Sequence, residues 1–195
     1  MIGTSAGGID PLKRIVSDLP KGLPVSIFVV VHIPAWHRSE LPAVLSHNSN
    51  LTASHPEAGE LIRPGHIYVA PPDYHMLLDE EHKIQLWRGP KENRHRPSIN
   101  ATFRSAAVNY RNRVVGVILS GMLDDGATGL WWIKQYGGVG VVQDPIETPF
   151  PDMPCAALEH VDVDHVAGAA EIGALLTELS QEEESVRKKR SKTKD

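Results

Sequence analysis

The chain of 195 residues contains a single cysteine, Cys155, so it can form no internal disulfide and has no CxxC pair for a metal or redox centre. No apolar run approaches the roughly 20 residues of a membrane-spanning helix. Nothing with the pattern of a secretory leader precedes Gly3. Nor is there a basic excess, because the formal charge is −4. Residues 181–195, QEEESVRKKRSKTKD, carry six Lys/Arg against four Asp/Glu, which makes this tail +2 and the rest of the chain −6. An acidic body excludes the clustered basic face of a nucleic-acid groove. Ten histidines are present, but none falls in HExxH or a comparable ligand spacing, so no metal is expected. Internal repeats are absent. With 41% hydrophobic residues the chain can bury one core, and a cytoplasmic globular protein is expected.

Short β-rich runs alternate with amphipathic stretches. VSIFVVVH (25–32) is a continuous apolar, β-branched run, the pattern of a strand buried on both faces; VVGVILS (114–120) and VGVVQD (139–144) repeat it. Asp10 is the expected N-cap of a helix with Pro11 at its first position, and Leu12, Ile15, Val16 and Leu19 share one face of it. GATGLWWIKQYGG reads as a helix stopped by Gly137 and Gly138. In RPSINATFRSAAVNYR (96–111), Ser98 is the expected cap of another helix. The alternation predicts an α/β fold with a doubly wound, mostly parallel sheet and helices on both faces. HIYVA (66–70), YHMLLDE (74–80) and KIQLW (83–87) lie too close together for helices between them, and predict an antiparallel hairpin extension of that sheet. Residues 1–180 are expected to form the domain and 181–195 a charged, disordered tail.

GTSAGG (3–8) sits between a strand start and the first helix, which opens two readings. A dinucleotide loop needs G-x-G-x-x-G and an acidic residue at the end of the second strand. Here Ser5 holds the middle glycine position, where a side chain obstructs the pyrophosphate, and the second strand ends in His32. No lysine serves a P-loop. Gly-x-Ser-x-Gly on a strand-to-helix turn instead exposes a serine hydroxyl above the sheet edge. A serine needs a base, and the base an orienting carboxylate. His32 ends its strand, and Asp124 and Asp125 follow VVGVILS in GMLDDGATG. Three strand ends thus present Ser, His and Asp to one edge of the sheet, in a chain order unlike that of the α/β-hydrolases.

The segments IGTSAGG, VVVHIP, GHIYVAPPDYHM, NRHRPSIN, VGVILSGMLDDGATG and QDPIETPFPDMPCAA resemble, in order, the catalytic domain of chemotaxis protein-glutamate methylesterases of the CheB type. The resemblance covers Ile2 to about residue 175. It implies a nucleophile at Ser5, a base at His32 and an orienting carboxylate at Asp125, leaving Asp124 to cap the helix that begins near Ala127. It also implies that Ala6 and Met122 line the site near the oxyanion, and the basic trio Arg94, His95 and Arg96 are candidates for binding an acidic substrate surface. The implied activity is hydrolysis of glutamate γ-methyl esters on the helical cytoplasmic region of chemoreceptors, with methanol released, and deamidation of receptor glutamines in some members. No cofactor is implied. Family members commonly carry a receiver domain ahead of this unit; none is expected in this chain, so a receiver on another chain or upstream in a longer product is the expected regulatory partner. Ala6 replaces a common hydroxyl residue and GML a common GMG. The alternative is a receptor-binding module of the same fold with impaired catalysis.

Overall fold

The computed structural model describes residues 1–36 and 38–192, with side chains as far as Gln181. In chain order the first half contains β1 (Ile2–Thr4), α1 (Ile9–Ser17), β2 (Ile27–Val31), α2 (Leu41–His47), β3 (Thr52–Ser54), β4 (Glu60–Leu61), β5 (His66–Val69), β6 (His75–Leu78) and β7 (Lys83–Trp87). The second half contains α3 (Ile99–Tyr110), β8 (Val115–Ile118), α4 (Ala127–Gln135), β9 (Val139–Gln143), α5 (Asp152–His160), β10 (His165–Ala167) and α6 (Ala169–Lys192).

Seven strands pair in parallel in the order β10-β9-β8-β1-β2-β5-β3. Alternation along β2 divides the core. Ile27, Val29 and Val31 pack with Leu12, Ile15 and Val16 of α1, Leu45 of α2 and Ile172 of α6. Phe28 and Val30 face the other way, against Phe103 of α3, Leu130 and Ile133 of α4 and Ala157 of α5. A strand covered on both faces must be apolar at consecutive positions, which is why β2, β8 and β9 read as unbroken runs. The doubly wound α/β architecture is therefore as expected. The order of strands reverses between β1 and β8, and in such sheets the crevice at the carboxyl ends beside the reversal is where ligands bind.

Several local expectations are corrected. HIYVA is no hairpin strand, because β5 pairs in parallel with both β2 and β3. The antiparallel part is a separate three-stranded sheet, β4-β7-β6, rather than an extension of the main one. Met76 and Ile84 in it are fully buried against the α3 side of the core. Gly8, not Asp10, is the N-cap of α1; Asp10 lies in the first turn and pairs with Lys13 at 2.6 Å. Helix α6 continues through much of the segment read as a tail, and residues 193–195 lie outside those described. Among the described residues no helix is long and apolar enough to cross a membrane.

One helix pair fixes the site. Gly129 of α4 lets the two backbones approach closely, since a Cβ there would stand 3.0 Å from Asn100 Cα and 2.7 Å from Phe103 Cβ. The buried Asn100 Oδ1 then accepts from the Gly126 and Gly129 N–H groups at 3.0 and 2.7 Å, so α3 caps the start of α4. Asp124 does not make that cap; it is exposed and accepts from Asn93 Nδ2 at 3.3 Å. Asn100→Ala strands two buried N–H donors, and is expected to lower stability by about 1–3 kcal/mol. A reduced urea midpoint at unchanged slope checks this; an unchanged midpoint would remove the cap from the account.

Candidate active site

Ser5 directly follows β1, at the middle of the sheet. Its N–H donates to the Ser120 carbonyl at 3.0 Å, and Thr4 Oγ1 donates to the same oxygen at 2.8 Å, tying the turn to the end of β8. The glycines around Ser5 answer to space. Gly7 has φ +75, and a Cβ there would lie 2.7 Å from the Phe150 ring; at Gly8 it would run into the Thr4 side chain. Gly121 is equally tight, since a Cβ on it would come within 2.8 Å of Ser5 Cβ. The backbone of the loop after β8 is therefore packed against the serine.

His32 directly follows β2, whose register pairs Thr4 with Val31, so Ser5 and His32 are the next residues of adjacent strands. Nε2 of His32 lies 2.8 Å from Asp125 Oδ2, and the two side chains are only 7% and 1% exposed. Asp125 also accepts from Ile99 N–H at 2.8 Å, Asn100 N–H at 3.2 Å and Ser98 Oγ at 2.9 Å. It sits on the N-terminus of α3, where orphan N–H groups and the helix dipole favour negative charge. Ser98 occupies the N-cap position of α3 but makes no side-chain cap; its hydroxyl is turned to the carboxylate instead. With donors on both carboxylate oxygens, the imidazole must present N–H at Nε2, which leaves a lone pair at Nδ1. Nδ1 is buried and has no hydrogen-bond partner.

A second imidazole covers the first. The rings of His95 and His32 stack at 3.5 Å between centroids and 2° between planes. Burial, then the neighbouring His32, pushes His95 below the ordinary imidazole value of 6.5. Beside this pair opens a cleft of about 240 Å³, walled by Ile33–Ala35 on one side and Lys91 and Arg94–Pro97 on the other. A larger cavity of about 410 Å³ lies at the amino end of the strands, between Val25, Tyr110 and Leu176, and touches none of Ser5, His32 or Asp125. Of those three residues His32 alone lines the smaller cleft, which therefore opens beside the Ser5 turn rather than over it.

The structure thus gathers Ser5, His32, Asp125, Ala6 and His95 at one edge, with Met122 exposed on the adjoining loop and Arg94 at the lip. Arg96 also lines the cleft, but its guanidinium is committed to Asp73, with Nε 2.8 Å from Oδ1. Sequence reading did not find the buried His75. Its Nδ1 accepts from Ser98 N–H at 3.2 Å and its Nε2 bonds the Pro90 carbonyl at 3.0 Å, fixing the start of α3. Among the described residues no three His, Cys, Asp or Glu side chains are grouped to hold a metal.

Comparison with known proteins places the chain and its fold in one family. The family model described as CheB methylesterase matches residues 1–176. The chain belongs to that family. A candidate protein-glutamate methylesterase/protein-glutamine glutaminase of Leptospira interrogans is 39% identical over 181 residues, covering 93% of this chain and 94% of that one. The protein-glutamate methylesterase/protein-glutamine glutaminase of Thermotoga maritima is 35% identical over 92% of this chain, which spans only 53% of that protein. The crystal structure of the Thermotoga maritima CheB methylesterase catalytic domain superposes with a TM-score of 0.87 at 36% identity, covering 91% of this chain and 96% of the other.

His66 shares the behaviour of His95: burial, then Arg63, holds it below 6.5. The unfolded chain therefore takes up protons near 6.5 that the folded CheB-type domain refuses, and stability falls as the pH drops below that value. The loss levels off once the pH passes the lowered native values. The lowered carboxyls of Asp73, Asp79 and Asp164 act in a separate, more acid window, below about 4. The urea midpoint is expected to fall between about pH 7.5 and 5.5, and less steeply in His95→Gln. Equal slopes in parent and variant would contradict a protonation-resistant His95.

Proposed function

We propose that this chain is a serine hydrolase that demethylates glutamate γ-methyl esters of chemoreceptors in the cytoplasm. The observation that carries the reading is the buried His32–Asp125 pair, which leaves Nδ1 as the ring nitrogen available to Ser5. Ser5 Oγ attacks the ester carbonyl carbon while His32 Nδ1 takes its proton. The tetrahedral intermediate collapses, the methoxy group leaves with the proton from Nδ1 as methanol, and Ser5 keeps the glutamyl group as an ester. Water, deprotonated by the same nitrogen, then releases the glutamate carboxylate and restores Ser5.

The oxyanion needs fixed donors. The N–H groups of Ala6 and Met122 suit that role: neither has a protein acceptor among the described residues, and Met122 follows the Gly121 backbone packed on Ser5. A glutamine γ-amide follows the same route with ammonia as leaving group, so the two activities named for the relatives can share one site. His95 acts as a positioning residue, since its ring stacks on His32 and restricts its rotation. Residues 1–180 form the catalytic unit, with 181–195 a tail outside the chemistry. A receiver domain in another chain, or upstream in a longer product, regulates it.

Ser5→Ala is expected to abolish methanol release from methylated receptor membranes and to change stability by no more than about 1 kcal/mol, as for a hydroxyl outside the packed core. Full methanol release by that variant ends the methylesterase reading. The two adjacent aspartates offer a sharper comparison. Asp125→Asn is expected to cut turnover by about 10⁴, because an amide no longer fixes the imidazole tautomer. Asp124→Asn is expected to stay within about tenfold of the parent, since its one side-chain hydrogen bond, to Asn93, is exposed and surface substitutions of that kind change little. The reverse ranking would move the orienting role to Asp124.

A further inference from the structure

We propose that the cleft beside His32 is a carboxylate-binding subsite, in which Lys91 and Arg94 hold an acidic side chain one helical turn from the ester. This rests on the methylesterase reading and adds to it a rule of substrate choice.

Five cations surround residues 88–104, and three are committed. Arg88 and Arg96 both bind Asp73, and Arg104 holds Glu92 through two bonds at 2.6 and 2.9 Å. Lys91 and Arg94 are exposed and make no ion pair or hydrogen bond among the described residues, yet both line the cleft. Both lie close enough to His95 to help keep its ring from protonating.

The loop that carries them is braced. Glu92 and His95 exchange backbone hydrogen bonds at 3.1 and 3.0 Å, closing a two-residue turn in which Asn93 and Arg94 have φ of 50° and 69°. Such turns ordinarily place glycine at the second position. An arginine held there against its backbone preference points to a use for its side chain. The bound Glu92 and Arg96 fix the turn to α3 and to Asp73 on either side of it.

The opposite wall is apolar, Ile33, Pro34 and Ala35. A cation on one side, a methylene-binding wall on the other and His32 at the base suit a Glu or Asp side chain. On a helical substrate, residues three or four apart stand about 5–6 Å from each other. Because His32 both lines this cleft and follows the strand residue paired with the one before Ser5, an ester over Ser5 and a carboxylate in the cleft would be neighbours on one face. Outside its final residues the chain carries −6, a charge that repels an acidic helix. Two uncommitted cations at the mouth reverse that field where it matters.

The test uses two synthetic helical peptides, each with one glutamate γ-methyl ester and either Glu or Gln four residues away. The parent enzyme is expected to favour the Glu peptide in kcat/KM by about two- to fivefold, a preference that declines with salt. Lys91→Gln with Arg94→Gln should bring that ratio to near one. Arg94→Gly should lower it as well, and because glycine tolerates the turn conformation, a damaged loop cannot be the reason. The ratio of dissociation constants for the same peptides on Ser5→Ala, read by fluorescence anisotropy, gives an answer independent of turnover. No preference in the parent, or one unchanged in the variants, overturns the subsite. Should neither peptide be hydrolysed while the binding ratio appears and collapses as described, the methylesterase reading falls and the subsite stands.

Discussion

The structure around the site depends on one buried carboxylate placed on the end of a helix. Removing Asp125 from water costs several kcal/mol, and the cost is offset because Ser98, Ile99, Asn100 and His32 all direct donors to it. Three of those four belong to the first residues of α3 or its cap. The carboxylate therefore does two things at once: it satisfies orphan N–H groups of α3 and it orients the imidazole. Asn100 returns the favour by capping α4, the helix that Asp125 precedes. Each helix start is completed by a side chain from the other, so neither can shift without unpairing buried polar groups.

Reciprocal capping explains how three separate strand ends can be held in register. Ser5 and His32 need little help, since β1 and β2 are adjacent and their residues pair directly. Asp125 comes from beyond β8, across a loop in which Leu123 has φ 67°. That loop is pinned from outside by Asp152 Oδ2 on Leu123 N–H at 3.3 Å and by the Phe150 carbonyl on Gly121 N–H at 2.9 Å. The segment PFPDM, which has no chemistry of its own, is thus the outer brace of the site.

Much of this was legible in the sequence because it rests on local rules. Unbroken apolar runs give buried strands, and Gly3, Ser5 and Gly7 between a strand and a helix give a turn that exposes a serine. Other features depend on partners far along the chain. HIYVA alternates enough to pass as a hairpin strand, and only its placement between β2 and β3 makes it parallel. Asp10-Pro11 looks like a helix start, yet the α1 backbone turns already at Gly8. Ser98 was legible as a cap position but not as a donor to Asp125, and although Asn100 and His75 lie inside segments that carry the family resemblance, nothing local marks what either side chain does. The role of Asn100 exists only once α3 and α4 are in contact, and that of His75 only once β6 meets the start of α3.

The distribution of charge is the last constraint. At neutral pH the stacked His95 is an uncharged lid, because burial keeps it from taking a proton. The formal charge in contact with His32 is then that of Asp125 alone, on the ring nitrogen that must stay protonated. A protonated His95 at 3.5 Å would oppose the imidazolium that the proposed attack by Ser5 forms. Burying one histidine against the other keeps the ring nearest His32 neutral, while Lys91 and Arg94 carry their charge at the exposed mouth of the same cleft. In the proposed mechanism positive charge is wanted where an acidic substrate would arrive, and unwanted on the ring stacked against the base.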